Sequence, residues 1–116
     1  MTKEMRVYLD DILESIGKIE EYTRGLTLTA FERDIQRQDA VMRRPEIIGE
    51  AVKHLPEATR THYPDIPWQQ IAGMRDILIH EYSSVSLDRV WNVVTDHLAD
   101  LKHTTQEILQ KMYGDH

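Results

Sequence analysis

The chain has 116 residues, the size of one domain, and residues 1–116 are read as a single unit. Charged residues make up 29% and hydrophobic residues 41%, which fits a folded protein and excludes a disordered one. The net charge is −6 and there are no cysteines, which excludes disulfides, thiolate metal sites and thiol nucleophiles, and argues against broad coating of nucleic acid. A cysteine-free chain fits a reducing compartment, so a cytoplasmic protein is expected. No run approaches eighteen apolar residues, so no membrane span is expected. The start, MTKEMRVYLDDI, lacks an apolar h-region, so no signal peptide is expected either.

In chain order, Met5, Tyr8, Ile12, Ile16, Ile19 and Tyr22 recur at 3–4 spacing and predict an amphipathic helix over 4–23. Arg24-Gly25 reads as its stop, with glycine supplying a left-handed cap. Thr29-Ala-Phe-Glu32 reads as a capping box that opens a second helix. Phe31, Ile35, Ala40 and Val41 mark its inner side. Pro45 then either kinks one long rod or opens a new helix as its first residue. Ile47, Ile48, Ala51, Val52 and Leu55 continue the pattern, which ends or bends by about residue 60. THYPDIP, over 61–67, is a loop. Trp68 to about Tyr82 is a third helix, with Ile71, Met74 and Leu78 facing in. Ser83-Ser84-Val85-Ser86 breaks it. Leu87, Val90, Trp91, Val94, Leu98, Leu101, Ile108 and Leu109 carry a last helix to about residue 112. Four or five helices, short connections and no strand predict an all-α antiparallel bundle.

The stretch that bears on chemistry is Arg75-Asp-Ile-Leu-Ile-His80-Glu-Tyr82. Asp76 and His80 are i,i+4 neighbours on a helix, so the carboxylate can orient the imidazole. Arg75 and Tyr82 are i,i+7 and share a face. Arg75 and His80 lie five positions apart, about 140° around the axis. A joint site needs either a distorted helix end or a second copy of the chain, and a twofold dimer would bring two Arg–His sets to one cleft. Such a set suits phosphodiester cleavage. Histidine titrates near neutrality and can take the proton of an RNA 2′-OH or protonate the leaving oxygen. Arginine offers a fixed fork of donors to charge on the phosphate. Because the ribose supplies an internal nucleophile, RNA can be cut in this way without a metal, and DNA cannot.

These residues resemble the HEPN family, and within it the HepT-like toxins of the HEPN/MNT toxin–antitoxin pairs, whose motif is R-x4-H-x-Y. The neighbouring text is similar as well: Ile47-Ile-Gly-Glu-Ala51, Ile66-Pro-Trp68, Ile71-Ala-Gly-Met-Arg75 and Val90-Trp91, in the expected order over roughly 40–100. The resemblance implies an all-helical homodimer with metal-independent RNase activity and a cleft at the dimer interface. Arg75 and His80 would be the catalytic pair, tRNA is a plausible substrate, and no cofactor or metal is expected. It also implies a minimal nucleotidyltransferase antitoxin that transfers AMP from ATP onto Tyr82. An alternative keeps the same residues in a non-catalytic helical partner subunit of such a nucleotidyltransferase, and a further one is a free-standing helical adaptor.

Other residues invite weaker readings. Glu50 stands in an apolar stretch, where it either points inward to orient Arg75 or faces solvent. Arg33, Arg37, Arg43 and Arg44 form either a patch for tRNA or antitoxin or a mixed-charge helix face. Residues 24–60 carry a local charge of +1 against −7 for the remainder. His97 and His103, six apart with Asp96 and Asp100 nearby, read as a solvated acidic face and not as a metal site. His54, His62 and His116 read as loop or surface residues, and Trp68 and Trp91 as core anchors.

Overall fold

A computed structural model of the chain describes residues 4–80, 91–92 and 95–114, and only the backbone of residues 75–80. Within them the fold is all-helical, with no strand.

Helix α1, Met5–Thr23, buries Leu9, Ile12, Ser15, Ile16 and Ile19 on one stripe, with Met5, Tyr8 and Tyr22 packed against its edges. Thr23 returns its hydroxyl to the Ile19 carbonyl at 2.7 Å. Gly25 follows at φ +76°, the left-handed conformation expected of it.

Helix α2, Leu28–Arg33, opens two residues earlier than the capping box predicts. Thr27, not Thr29, is the cap, its hydroxyl accepting from the Ala30 amide at 3.1 Å. The helix is a short one that buries Phe31 alone. Asp34, in extended backbone, ends it and starts the next, with its carboxylate accepting from the Arg37 amide at 3.0 Å. Gln38 reaches back to donate to the Phe31 and Glu32 carbonyls at 2.8 and 2.9 Å. Two side chains thus satisfy the backbone groups that the break would orphan.

Helix α3, Ile35–Lys53, runs unbroken through Pro45. Of the two fates open to this proline, the new helix does not occur and one rod passes through it. The division lies eleven residues earlier, at Asp34. Val41, Met42, Pro45, Ile48, Gly49, Ala51 and Val52 are buried.

Helix α3 ends at Lys53, and Pro56 introduces a separate short helix α4, Glu57–His62, whose last two residues enter the stretch expected to be loop. Helix α5, Trp68–His80, follows. Trp91, Asn92, Thr95 and Asp96 are helical, and a turn at His97 separates them from α6, Leu98–Tyr113, so the last helix is interrupted where the periodicity predicts none. The positions Ser83 to Val90 and Val94, including the expected break, lie outside the described residues.

Helix α1 packs on α3 and α6, and α3 packs on α5. The end-to-end ties define direction. Arg37 at the start of α3 donates to the carbonyl of Tyr22 near the end of α1, at 2.6 Å. At the other end, Tyr8 stacks on His54 with centroids 4.7 Å apart. Lys102 pairs with Glu20 at 3.0 Å, and the Arg6 guanidinium lies 5.5 Å from the Tyr113 ring centroid. Helix α1 is therefore antiparallel to both α3 and α6. The core is Leu9, Ile12, Ile16, Ile19, Phe31, Val41, Ile48, Val52, Leu101 and Ile108, each at most 2% exposed.

Candidate functional site

Helix α5 is set in place by its first turns. Pro67 precedes it and its carbonyl accepts from the Ile71 amide at 3.0 Å. The Trp68 indole is 7% exposed and donates to the Tyr63 carbonyl at 2.9 Å, as a core anchor should. Ile71, Ala72 and Met74 are buried with it, and α3 receives this face. Trp91, the other expected anchor, is partly buried and packs its ring 5.2 Å from Phe31.

This anchoring fixes the register of the motif. Position 75 is seven residues past Trp68, four past Ile71 and three past Ala72, so it falls on the face that packs on α3. Position 80 lies about 140° round the axis from it, and position 76 is one turn before position 80. The helix is regular to His80, so no distortion within it brings positions 75 and 80 together. The side chains of Arg75, Asp76 and His80 lie outside the described residues, and so does Tyr82 altogether.

Glu50 lies on α3 with its side chain 48% exposed, facing solvent and not the core. Its carboxylate is hydrogen-bonded to the His54 ring at 3.1 Å. His54, read from sequence as an ordinary loop or surface residue, has a definite role: it caps α3 and lies flat on Tyr8, at an interplanar angle of 7°. The i,i+4 spacing of Glu50 and His54 was the available signal. The Tyr8 contact, 46 residues away in sequence, had none.

The basic patch is smaller than its sequence suggests. Arg37 is spent within the fold, on Tyr22 and on Asp34 at 3.9 Å. Arg33 and Arg43 are exposed, and Arg44 is partly so. His97 sits at the head of α6, and among the described residues no group of three His, Asp or Glu side chains is placed to hold a metal ion. Among them too, no helix is long and apolar enough to cross a membrane.

Comparison with known proteins places these features in a family. The profile of a family described as Ribonuclease HepT-like matches residues 12–108. A protein of Methanocaldococcus jannaschii named "Gamma-glutamylcyclotransferase and putative RNase" is 46% identical over 112 residues, covering 97% of this chain and 50% of that protein. A "Putative RNase" of Caldanaerobacter subterraneus is 40% identical over 109 residues, 94% of this chain and 97% of that one. A "Probable ribonuclease HepT" of Thermococcus cleftensis is 42% identical over 102 residues, 88% of this chain and 93% of that one. The chain spans half the length of the first relative and nearly all of the other two. No solved structure matches the chain.

Proposed function

Since the chain belongs to the HepT-like ribonuclease family, we propose that it is a metal-independent endoribonuclease, the toxin of a toxin–antitoxin pair, with Arg75 and His80 as its catalytic residues. The observation that carries this reading is the match across residues 12–108, which contains the whole Arg75-x4-His80-x-Tyr82 motif. The register of α5 supports the second part of the proposal, that the site needs two copies. One regular helix holds positions 75 and 80 about 140° apart, so a complete Arg–His set is assembled across a twofold interface.

In that cleft His80 takes the proton of a ribose 2′-OH, the 2′-oxygen attacks the adjacent phosphorus, and the 5′-oxygen leaves with a proton returned to it. Asp76, one turn before His80, holds the ring in the productive orientation. Arg75 donates to the non-bridging phosphate oxygens as charge builds there. Glu50, which faces solvent and bonds to His54, is left out of the catalytic set. A tRNA is the RNA that this reading favours.

Neutralisation falls to a minimal nucleotidyltransferase that transfers AMP from ATP to the phenol of Tyr82, releasing pyrophosphate. The added phosphodiester anion, on a residue two past His80 and seven past Arg75, competes with RNA for the arginine donors, and the adenosine fills the cleft.

The test is expression of the chain alone, followed by growth and RNA integrity, beside Arg75→Ala and His80→Ala. Toxicity with RNA breakage in the wild type, lost in both variants while the fold persists, supports the proposal. RNA breakage that survives His80→Ala overturns it.

A further inference from the structure

At the end of the bundle where α1 begins and α6 finishes, a cleft of about 300 Å³ opens between α4 and the last turns of α6. His62, Tyr63, Ile108, Lys111 and Met112 are among the residues that line it. Tyr63 forms an aromatic wall. It packs against the core, and its carbonyl is held by the Trp68 indole. The His62 ring stands nearly perpendicular to it, with centroids 5.1 Å apart. The Lys111 ammonium lies 5.9 Å from the Tyr63 ring centroid. Its contact with Glu107 is long, 3.8 Å, and exposed, so it leaves donors for another acceptor. Met112, 54% exposed, supplies apolar surface, and the buried Ile108 backs the cleft.

A fixed aromatic face with an ammonium beside it matches one chemical class well, a planar aromatic ring that carries an anion. A nucleotide is such a group, its base stacking on the ring and its phosphate meeting the cation. The volume suits one small unit and not a duplex. The place matters too. Helix α5 begins next to Tyr63, and His80 is twelve residues further on, about 18 Å along the axis. The cleft is therefore separate from the motif. A chain with net charge −6 cannot hold RNA by general attraction, so discrete contacts of this kind must contribute.

The geometry points to the cleft between α4 and α6 as a second RNA contact, in which an unpaired nucleotide of the substrate stacks on Tyr63 and sets its phosphate on Lys111. The assignment rests on the ribonuclease reading. The same chemistry would suit a free mononucleotide, and the experiment separates the two.

Fluorescence anisotropy with a labelled single-stranded oligoribonucleotide reads the site directly, on the full chain carrying His80→Ala so that RNA is not consumed. Adding Tyr63→Leu or Lys111→Gln weakens binding about tenfold, as loss of one stacked base or one phosphate contact does. In the otherwise wild-type enzyme the same changes raise KM and leave kcat unaltered. Unlabelled AMP competes only weakly. If Tyr63→Leu fails to fold, Lys111→Gln, an exposed position, decides. Equal RNA affinity with and without Lys111→Gln overturns the assignment, as does a fall in kcat at unchanged KM. Saturation by AMP without displacement of RNA overturns it in favour of a free nucleotide. Should the wild type cut no RNA, the ribonuclease reading fails, while the anisotropy still reports whether the cleft binds.

Discussion

Single residues set several of the chain's turning points. Gly25 has open space where a Cβ would stand, so Gly25→Ala meets no clash, but its φ of +76° strains any L side chain. The expected cost is about 1 kcal/mol, read as a lower urea midpoint. Thr27→Ala removes the cap of α2 and is expected to cost about 1 kcal/mol, whereas Thr29→Ala, at the residue that sequence alone nominates, costs little. Which threonine caps a helix depends on where the chain enters it after Gly25, and a Thr-x-x-Glu spacing does not contain that information. At the other end of the motif, Tyr82 belongs to the regulatory part of the proposal. Co-expression with the proposed nucleotidyltransferase partner is expected to add AMP mass to the wild type, located on Tyr82 by peptide mass spectrometry, and none to Tyr82→Phe. Label found only on Tyr8, Tyr22, Tyr63 or Tyr113 contradicts this.

At the scale of elements, periodicity read α1 well, because it buries one continuous stripe, and α3 only from Val41 onward: Ile35, expected on the inner side, is 71% exposed in the first turn after Asp34. It failed where helix ends are decided by side chains that bond to the backbone. Proline is the strongest breaker in the sequence, yet the break lies at Asp34, where Asp34 and Gln38 between them cap two helix ends. Pro45 stays within α3 because its ring is buried in the core, which offsets the missing hydrogen bond. An alanine there recovers a donor and propensity worth about 3 kcal/mol but loses roughly 2 kcal/mol of ring burial. Pro45→Ala is therefore expected to raise stability by about 1 kcal/mol. A clear fall in the denaturation midpoint would show that the ring is needed for packing. The motif itself was legible as spacing, and its register on α5 follows from Trp68, Ile71 and Ala72. The exposure of Glu50 was not, since an acid among apolar neighbours reads equally as inward or outward until the stripe of α3 is fixed by its partners.

At the scale of the whole molecule, the antiparallel arrangement of α1 with α3 and α6 makes one small core, and α5 lies against α3 at its side. On helix α5 positions 75 and 80 lie about 140° apart around the axis, which is why the proposed chemistry calls for a second copy. Sedimentation at micromolar concentration is expected to give a dimer, and a stable monomer would remove the geometric basis of the joint Arg–His site. The central claim is that Arg75 and His80 cut RNA with the ribose as nucleophile and no metal. Its most direct measurement is cleavage of a purified single RNA by the purified chain with excess EDTA, beside the His80→Ala protein verified as folded. The account predicts undiminished cleavage by the wild type, leaving 2′,3′-cyclic phosphate ends, and none by His80→Ala; loss of activity with EDTA, or cleavage by the His80→Ala protein, would contradict it.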